Sequence, residues 1–176
     1  MNVALLLGAH VYRPHPKPPT VVFWSRPDIG KYTLNIDGSF RNGEAGIGGI
    51  IRNEEGHMVY ALGFYKAAAS ALEAKIMATF EVLRWCTTRS FSELQVATDS
   101  MMLVKMVQEQ RTQWRWNNVI ASINHLMQVS RSKLKHIWRE KNMVTDALAK
   151  LSFKERANYS WRPDDTPDRI RALVRT

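Results

Sequence analysis

The alternation of hydrophobic and polar positions predicts three strands followed by a helix. Three segments alternate with a period of two and are joined by short turns: Tyr32 to Asp37, Ala45 to Arg52 and His57 to Lys66. From Ser70 to about Cys86 the period lengthens, and apolar residues return every three or four positions, which predicts a helix. Strands joined by short turns form an antiparallel meander, so we expect the folded part of the chain to begin with an antiparallel sheet.

Downstream of this helix, strand-like and helical patterns alternate. The predicted elements are, in order, a strand from Leu94 to Ala97, helices from Asp99 to about Gln110 and from Trp116 to about Ser130, a strand from Leu134 to Trp138, and a helix from Asn142 to about Phe153. A last short helical segment runs from Ile170 to Val174. This order predicts an α/β fold with a five-stranded mixed sheet, three antiparallel strands plus two parallel ones, flanked by helices.

The distribution of prolines and the length of the chain suggest one domain with two extensions. The chain has 176 residues, about the length of one domain, and residues 11–20 contain four of its seven prolines. We therefore expect a proline-containing linker or extension at 1–20, a folded domain at 21–155, and a C-terminal tail at 156–176 that carries a candidate docking helix.

The short apolar run near the N-terminus and the single cysteine bear on localisation and redox chemistry. The apolar run from Val3 to Ala9 is too short to span a membrane, and no basic segment precedes it. We therefore expect an intracellular protein, nuclear or cytoplasmic, with no membrane partner. The single cysteine, Cys86, cannot form an internal disulfide and cannot supply a cysteine-based metal site.

The net charge of +9 suggests a polyanionic partner, and its distribution refines the suggestion. Residues 101–141 contain eight Lys and Arg but only two Asp and Glu, whereas residues 21–100 sum to −1. The alternative explanation is a solvated basic surface without a partner.

Four carboxylates fall near strand ends or helix starts: Asp37, Glu73, Asp99 and Asp146. Each has an ordinary structural explanation. Asp37-Gly38 is typical of a hairpin turn, Ser70 and Glu73 have the spacing of a capping box, Asp99 is a plausible helix cap, and Asp146 would favour the positive end of its helix.

The functional interpretation of these acids is a joint one. If the first and fourth strands are parallel neighbours, Asp37 and Asp99 project from the same edge of the sheet, and Glu73 and Asp146 on flanking helices could reach the same point. Crowded carboxylates repel one another unless a divalent cation lies among them, and oxygen-only ligands suit Mg²⁺ or Mn²⁺. The pattern therefore predicts a metal site.

Several short motifs occur here in a defined order, and together they carry a family resemblance. They are Leu34-Asn35-Ile36-Asp37-Gly38-Ser39, Ala45-Gly46-Ile47-Gly48-Gly49, Leu72-Glu73-Ala74, Thr98-Asp99-Ser100, His136 to Asn142, and Thr145 to Lys150, with Trp24, Pro27 and Gly30 ahead of them. This set, over about residues 21–153, resembles ribonuclease H of type 1, in particular the reverse-transcriptase-associated ribonuclease H-like domains of plant retroelements and their host-encoded relatives.

The resemblance implies an endonuclease that hydrolyses the RNA strand of RNA/DNA hybrids with two divalent metals, Mg²⁺ or alternatively Mn²⁺. It assigns metal binding to Asp37, Glu73, Asp99 and Asp146, and it implies that His136 assists water activation or product release. For His136 the alternative is a strand histidine bonded to a neighbour. Thr145 departs from the family, which usually has a small alanine before the last acid, and the long basic extension of some members is absent between Asp99 and Asp146.

Candidate contacts to the nucleic acid come from the resemblance and from the basic segments. Ser39 and Asn42 follow Asp37 in a loop from which family members contact the hybrid. Cations and indoles alternate between the two middle helices, and a second basic group follows; the candidates there are Arg111, Trp114, Arg115, Lys135 and Arg139. Alternatively, Trp114 or Trp116 anchors the helix junction in the core, and the period-two row of Arg131, Lys133 and Lys135 only faces solvent.

Two other functions remain open beside the hybrid endonuclease. One is a catalytically weak nucleic-acid-binding module that retains the ribonuclease H fold, and the other is a related 3′ exonuclease. All four acids, present in order, favour an enzyme.

Overall fold

The computed structural model describes residues 27–110 and 113–174. The predicted linker, Trp24 and Arg111 lie outside these ranges. Within them the strands are β1 (Tyr32–Arg41), β2 (Glu44–Arg52), β3 (Met58–Ala67), β4 (Leu94–Thr98), β5 (Lys133–His136) and β6 (Tyr159–Trp161). The α-helices are α1 (Ala71–Thr88), α2 (Met101–Glu109), α3 (Asn117–Val129), α4 (Met143–Glu155) and α5 (Asp168–Val174), and two short 3₁₀ helices cover Trp114–Trp116 and Arg139–Asn142.

One mixed sheet joins the described strands in the order β5-β4-β1-β2-β3-β6. Strands β1, β2 and β3 form the expected antiparallel meander, while β4 and β5 run parallel to β1. The α/β mixed sheet is thus confirmed, but the expectation of five strands is corrected to six. The additional strand β6 pairs antiparallel with residues 61–63 of β3. Its three residues are too few to show a period in the sequence.

The first strand is longer than the sequence suggests. We expected Asp37 to close it at an Asp-Gly turn, but β1 continues to Arg41 and Asp37 lies inside it. The hairpin turn is formed instead by Asn42 and Gly43, whose φ angles of 51° and 80° are those that a tight hairpin demands. Gly38 therefore does not form a turn; its missing side chain instead leaves room for the backbone of α1.

Helices cover both faces of the sheet, and β2 contributes side chains to the core on each face. Ile47 and Ile51 belong to the larger core, with residues of α1, α2 and α3, whereas Ile50 packs in a second core with Leu148 of α4 and Ile170 of α5. Alternate side chains of a strand point to opposite faces, so one apolar strand supplies both cores. None of the described helices is both long enough and apolar enough to cross a bilayer.

Two glycines of β2 allow α4 to lie against the sheet at backbone distance. A Cβ atom added to Gly46 would lie 2.0 Å from the carbonyl oxygen of Ala149, and one added to Gly48 would lie 2.2 Å from that of Thr145. Ser152 tightens the same contact, because its buried hydroxyl donates to the Ile47 carbonyl oxygen at 3.1 Å. The two glycines and Ser152 thus fix how closely α4 packs against β2.

Cys86 is completely buried in the larger core, and burial raises the pKa of its thiol to about 12. The thiolate is the reactive form, so we expect iodoacetamide to leave Cys86 unmodified in the native protein at neutral pH. In denaturant the thiol should be alkylated fully. Intact-mass spectrometry after each treatment measures this, and rapid alkylation without denaturant would contradict the burial of Cys86.

Candidate functional site

The centre of the candidate site is a pair of aspartates on two neighbouring parallel strands: Asp37 lies inside β1, and Asp99 directly follows the carboxyl end of β4. Asn35 of β1 pairs with Ala97 of β4, so Asp37 and Asp99 are each two residues beyond partners in register. Both side chains are largely buried, with exposed fractions of 7% for Asp37 and 11% for Asp99. The expected neighbourhood of the first and fourth strands, and of these two acids, is therefore present.

Asp99 is not used as a helix cap. Ser100 is the N-cap of α2, since its hydroxyl accepts a hydrogen bond from the Leu103 backbone N–H at 3.2 Å. The carboxylate of Asp99 is thereby left for another partner.

That partner is a lysine that the sequence analysis did not single out. The ammonium of Lys75 donates to Asp37 Oδ1 at 2.7 Å and to Asp99 Oδ1 at 2.6 Å, so it bridges the two carboxylates. Asp37 Oδ1 also accepts the backbone N–H of Gly38 at 2.8 Å. A cation lies between the two acids, but it is an ammonium on α1.

The electrostatics of the trio follow from burial and proximity. Burial raises the pKa of Asp37 above its ordinary value of 3.8, and the charge of Lys75 offsets this only in part. Burial lowers the pKa of Lys75, but the charges and hydrogen bonds of Asp37 and Asp99 outweigh it and place that pKa above its ordinary value of 10.5. Lys75 is therefore charged at neutral pH.

Glu73 and Asp146 are engaged elsewhere. Glu73 forms the predicted helix start: its backbone N–H donates to Ser70 Oγ at 3.1 Å, and its carboxylate accepts the Ala69 N–H at 2.5 Å. Asp146, one turn into α4, accepts from Lys150 at 2.6 Å. Within residues 27–110 and 113–174, no three His, Cys, Asp or Glu side chains are grouped closely enough to hold a metal ion.

The expected two-metal centre therefore does not fit the side chains as they stand. Two divalent ions need several carboxylate oxygens turned toward a common point, and the one pair that converges, Asp37 and Asp99, already holds the ammonium of Lys75. The assignment of Asp37, Glu73, Asp99 and Asp146 to metal binding stays a prediction.

His136 ends β5, in register with Thr98, the residue before Asp99. Its ring lies edge-on to the indole of Trp138, with 5.9 Å between centroids. The loop that follows is tied to β4, because the Ile137 N–H donates to the Thr98 carbonyl oxygen at 2.9 Å. Trp138 is largely exposed beside this edge of the sheet, as are Lys135 and Arg139.

On the other side, the 3₁₀ helix Trp114–Trp116 lies beside the start of α1. Its Arg115 guanidinium is 3.9 Å from the Glu73 carboxylate. Trp116 is buried and Trp114 is 86% exposed, which confirms that one of the two anchors the core and leaves the other as a candidate contact. Ser39 is partly buried within β1, and Asn42 is exposed in the hairpin turn.

The basic row expected at β5 is shorter than predicted. The strand begins at Lys133, so Arg131 lies before it, in a left-handed conformation with φ 51°, and pairs with Glu93 at 3.3 Å. Lys133 and Lys135 remain exposed on one side of the strand.

The start of α4 is anchored against β1, next to Asp37. Asn142 is buried, and its amide donates to the Ile36 carbonyl oxygen at 2.9 Å. Thr145, the residue that departs from the family pattern, donates through its hydroxyl to the Asn142 carbonyl oxygen at 2.8 Å. The threonine thus stabilises the turn that brings α4 to the site.

Known proteins with this architecture support the resemblance. The ribonuclease H1 of Halobacterium salinarum superposes with a TM-score of 0.65 at 20% identity, covering 73% of this chain and 100% of that one. An RNase H1 isolated from compost, solved in complex with an RNA/DNA hybrid, gives a TM-score of 0.65 at 23% identity over 71% of this chain and 98% of that one. These likenesses confirm the expected ribonuclease H-like fold.

One curated relative comes from a plant. It is named "Putative ribonuclease H protein", from Arabidopsis thaliana, and is 22% identical over 182 residues. The match covers 96% of this chain but only 29% of the relative. The model of the family described as Reverse transcriptase-like matches residues 35–152, from the strand that carries Asp37 to the helix that carries Asp146. With more than half of its residues matched, this chain belongs to the Reverse transcriptase-like family.

Proposed function

We propose that this chain is a ribonuclease H-type domain that binds RNA/DNA hybrids and hydrolyses their RNA strand. The observation that carries the proposal is the largely buried pair of Asp37, inside β1, and Asp99, directly after β4, with exposed cations and indoles on both sides. The RNase H1 solved in complex with an RNA/DNA hybrid supports the substrate class. The two-metal mechanism and Mg²⁺ as cofactor remain predictions.

The flanking groups suit a duplex with one RNA strand. Arg115, Lys135 and Arg139 are exposed and can contact phosphates, and the exposed indoles of Trp114 and Trp138 can lie against sugar or base. Phosphate contacts position the duplex, while discrimination of RNA from DNA requires groups close to the 2′-hydroxyls. We assign the positioning function to these cations.

A second candidate function is a hybrid-binding module with weak or no cleavage. Lys75 favours it, because its ammonium already occupies the point between the two aspartates and offsets half of the charge that would attract a catalytic cation. The two candidates share the same bound substrate and differ only in whether the RNA strand is cut.

Hybrid binding should depend on the flanking cations. We expect Lys135→Gln and Arg139→Gln each to weaken hybrid binding and to lower the slope of log K against log salt by about 1. Lys154→Gln is the matched control: it is exposed on α4, eight residues beyond Asp146 and thus roughly 12 Å along the helix. Fluorescence anisotropy of a labelled hybrid over a salt series measures both effects, and equal losses in all three variants would argue against a site at β5.

Cleavage is tested on a hybrid that is circular or blocked at both ends, which also excludes a 3′ exonuclease. With magnesium or manganese present, we expect RNA fragments on a denaturing gel, and none from Asp37→Asn or Asp99→Asn, which should still bind. Binding without cleavage at any metal concentration would support the second candidate function. Cleavage by the variants equal to that of the wild type would show that Asp37 and Asp99 do not carry the reaction.

A further inference from the structure

The contact of Lys75 with the aspartate pair is built into the fold. Gly38, directly after Asp37, lets α1 lie against β1, since a Cβ atom added there would be 2.4 Å from the Ala74 carbonyl oxygen and 3.0 Å from the Lys75 backbone nitrogen. The backbone of Lys75 is thus held beside β1, and its side chain has only to extend to the two carboxylates. This is why an Asp-Gly pair stands in the middle of a strand.

The ammonium is also confined. The Lys75 side chain is 24% exposed, and both carboxylates that it contacts are less exposed than it is. Its two hydrogen bonds, at 2.7 and 2.6 Å, have the lengths of charge-assisted bonds, which are about twice as strong as neutral ones. A fully exposed lysine side chain, free to move in solvent, would not be expected to form both hydrogen bonds.

The charges make Lys75 a competitor of a divalent cation. Two carboxylates and one ammonium leave the trio with a net charge of −1, whereas the aspartates alone carry −2. A metal ion that binds Asp37 and Asp99 must displace the ammonium and break both of its hydrogen bonds, and the two other candidate acids offer no compensation where they lie, since Glu73 and Asp146 have partners of their own.

We propose that Lys75 is the resident cation of the Asp37 and Asp99 pair and competes with divalent metal for it. The ammonium offsets half of the charge of the pair in the absence of metal and so reduces its repulsion of phosphates, which lets the domain hold a hybrid without metal. It also raises the metal concentration that the pair requires. The inference rests on the proposed function only for its nucleic-acid readout, because competition for metal is a property of the protein alone.

The direct test is metal binding by the full chain without nucleic acid. The wild type, Lys75→Gln and Lys75→Glu are compared in two measurements. One is titration calorimetry with Mn²⁺, and the other is the thermal unfolding midpoint in EDTA and in millimolar Mn²⁺ or Mg²⁺. We expect the wild type to bind weakly and to show little change in its unfolding midpoint. Lys75→Gln should bind Mn²⁺ about tenfold tighter or better, because no ammonium has to be displaced. Lys75→Glu, which puts a third carboxylate at the same point, should bind tighter still, and both variants should be stabilised by metal.

Lys66→Gln is the matched control. Lys66 also contacts a buried carboxylate, that of Glu81 at 3.2 Å, but on a different part of α1. Its metal response should equal that of the wild type. If Lys75→Gln and Lys75→Glu do not fold in EDTA, the wild type still decides: tight, micromolar Mn²⁺ binding by the unmodified protein would overturn the proposal.

Nucleic-acid readouts separate this inference from the proposed function. In EDTA the wild type should bind the labelled hybrid, and Lys75→Glu should cleave it at lower metal concentration than the wild type. Failure of every form to bind the hybrid would refute the proposed function and leave the metal result standing. Cleavage by the wild type at a metal concentration no higher than Lys75→Glu requires would overturn the competition and leave the proposed function intact.

Discussion

Gly48→Ala is expected to lower the free energy of unfolding by about 3 kcal/mol or more, a large share of the stability of a small domain. The added methyl carbon would lie 2.2 Å from the Thr145 carbonyl oxygen and 2.6 Å from the Ala149 backbone nitrogen. Both are backbone atoms of α4 and cannot be relieved by a change of rotamer. The helix would have to move away from β2, with loss of packing in the second core. Urea denaturation followed by circular dichroism measures the change.

Gly49→Ala provides a matched comparison one residue along the same strand. Its added carbon would meet side-chain methyl groups of Val82, at 3.0 and 3.3 Å, on the opposite face of the sheet. A side chain can shift by a few tenths of an ångström, so a loss of about 1 kcal/mol or less is expected. Equal losses in the two variants would mean that α4 does not approach β2 as closely as described.

Lys75→Met, measured in EDTA, is expected to cost about 3 kcal/mol, because removing one partner of a buried ion pair leaves its partner charges uncompensated. Here Asp37 and Asp99 would be left facing each other with exposed fractions of 7% and 11%. Asp37→Asn in the Lys75→Met background should restore part of the loss, since it removes one of the two like charges. A double-mutant cycle by urea denaturation quantifies this coupling.

The pH dependence of this loss has a definite sign. A carboxyl whose pKa is raised by folding contributes stability below its unfolded pKa, and that contribution is lost as the pH rises through the folded value. The pKa of Asp37 is already raised by burial, and removing Lys75 removes the groups that lower it. The cost of Lys75→Met should therefore be smallest below the ordinary aspartate pKa of 3.8 and grow as the pH rises above it. A cost independent of pH would show that the lost charge of Lys75 does not dominate.

In the wild type, the raised pKa of Lys75 acts in the same direction as that of Asp37, but at a much higher pH. The pKa of Lys75 is above the ordinary 10.5, so its contribution is complete below about that pH and is lost as the pH rises further. Around neutral pH the wild type should consequently show little variation in stability from this group.

Most of the fold could be predicted from the sequence because its periodicities are strong. The meander, the long helix α1 and the alternation that follows it were all visible as changes from a period of two to that of a helix. Strand β6 was missed because three residues carry no period. Its position became evident only through pairing with β3.

The site could be predicted only in part, because sequence does not show which way a side chain turns. Asp37 and Asp99 come together as parallel neighbouring strands require, whereas Glu73 forms the capping contact that was its alternative explanation. Lys75 was missed because a cation on an amphipathic helix is usually solvated. The available signal was its position between the buried residues Ala74 and Ile76, opposite the glycine that follows Asp37.

The two outer strands of the sheet bear on the solubility of the protein. Open sheet edges can pair with other chains, and proteins prevent this with very short edge strands or with lysines. β6 has three residues, and β5 has four, of which Lys133 and Lys135 are exposed. Lys135, which is proposed to contact phosphates, therefore also protects this edge of the sheet against pairing with other chains. A chain that ended at residue 155 would lack β6 and would expose the backbone N–H and C=O groups of residues 61–63 of β3. We expect such a chain to self-associate more readily.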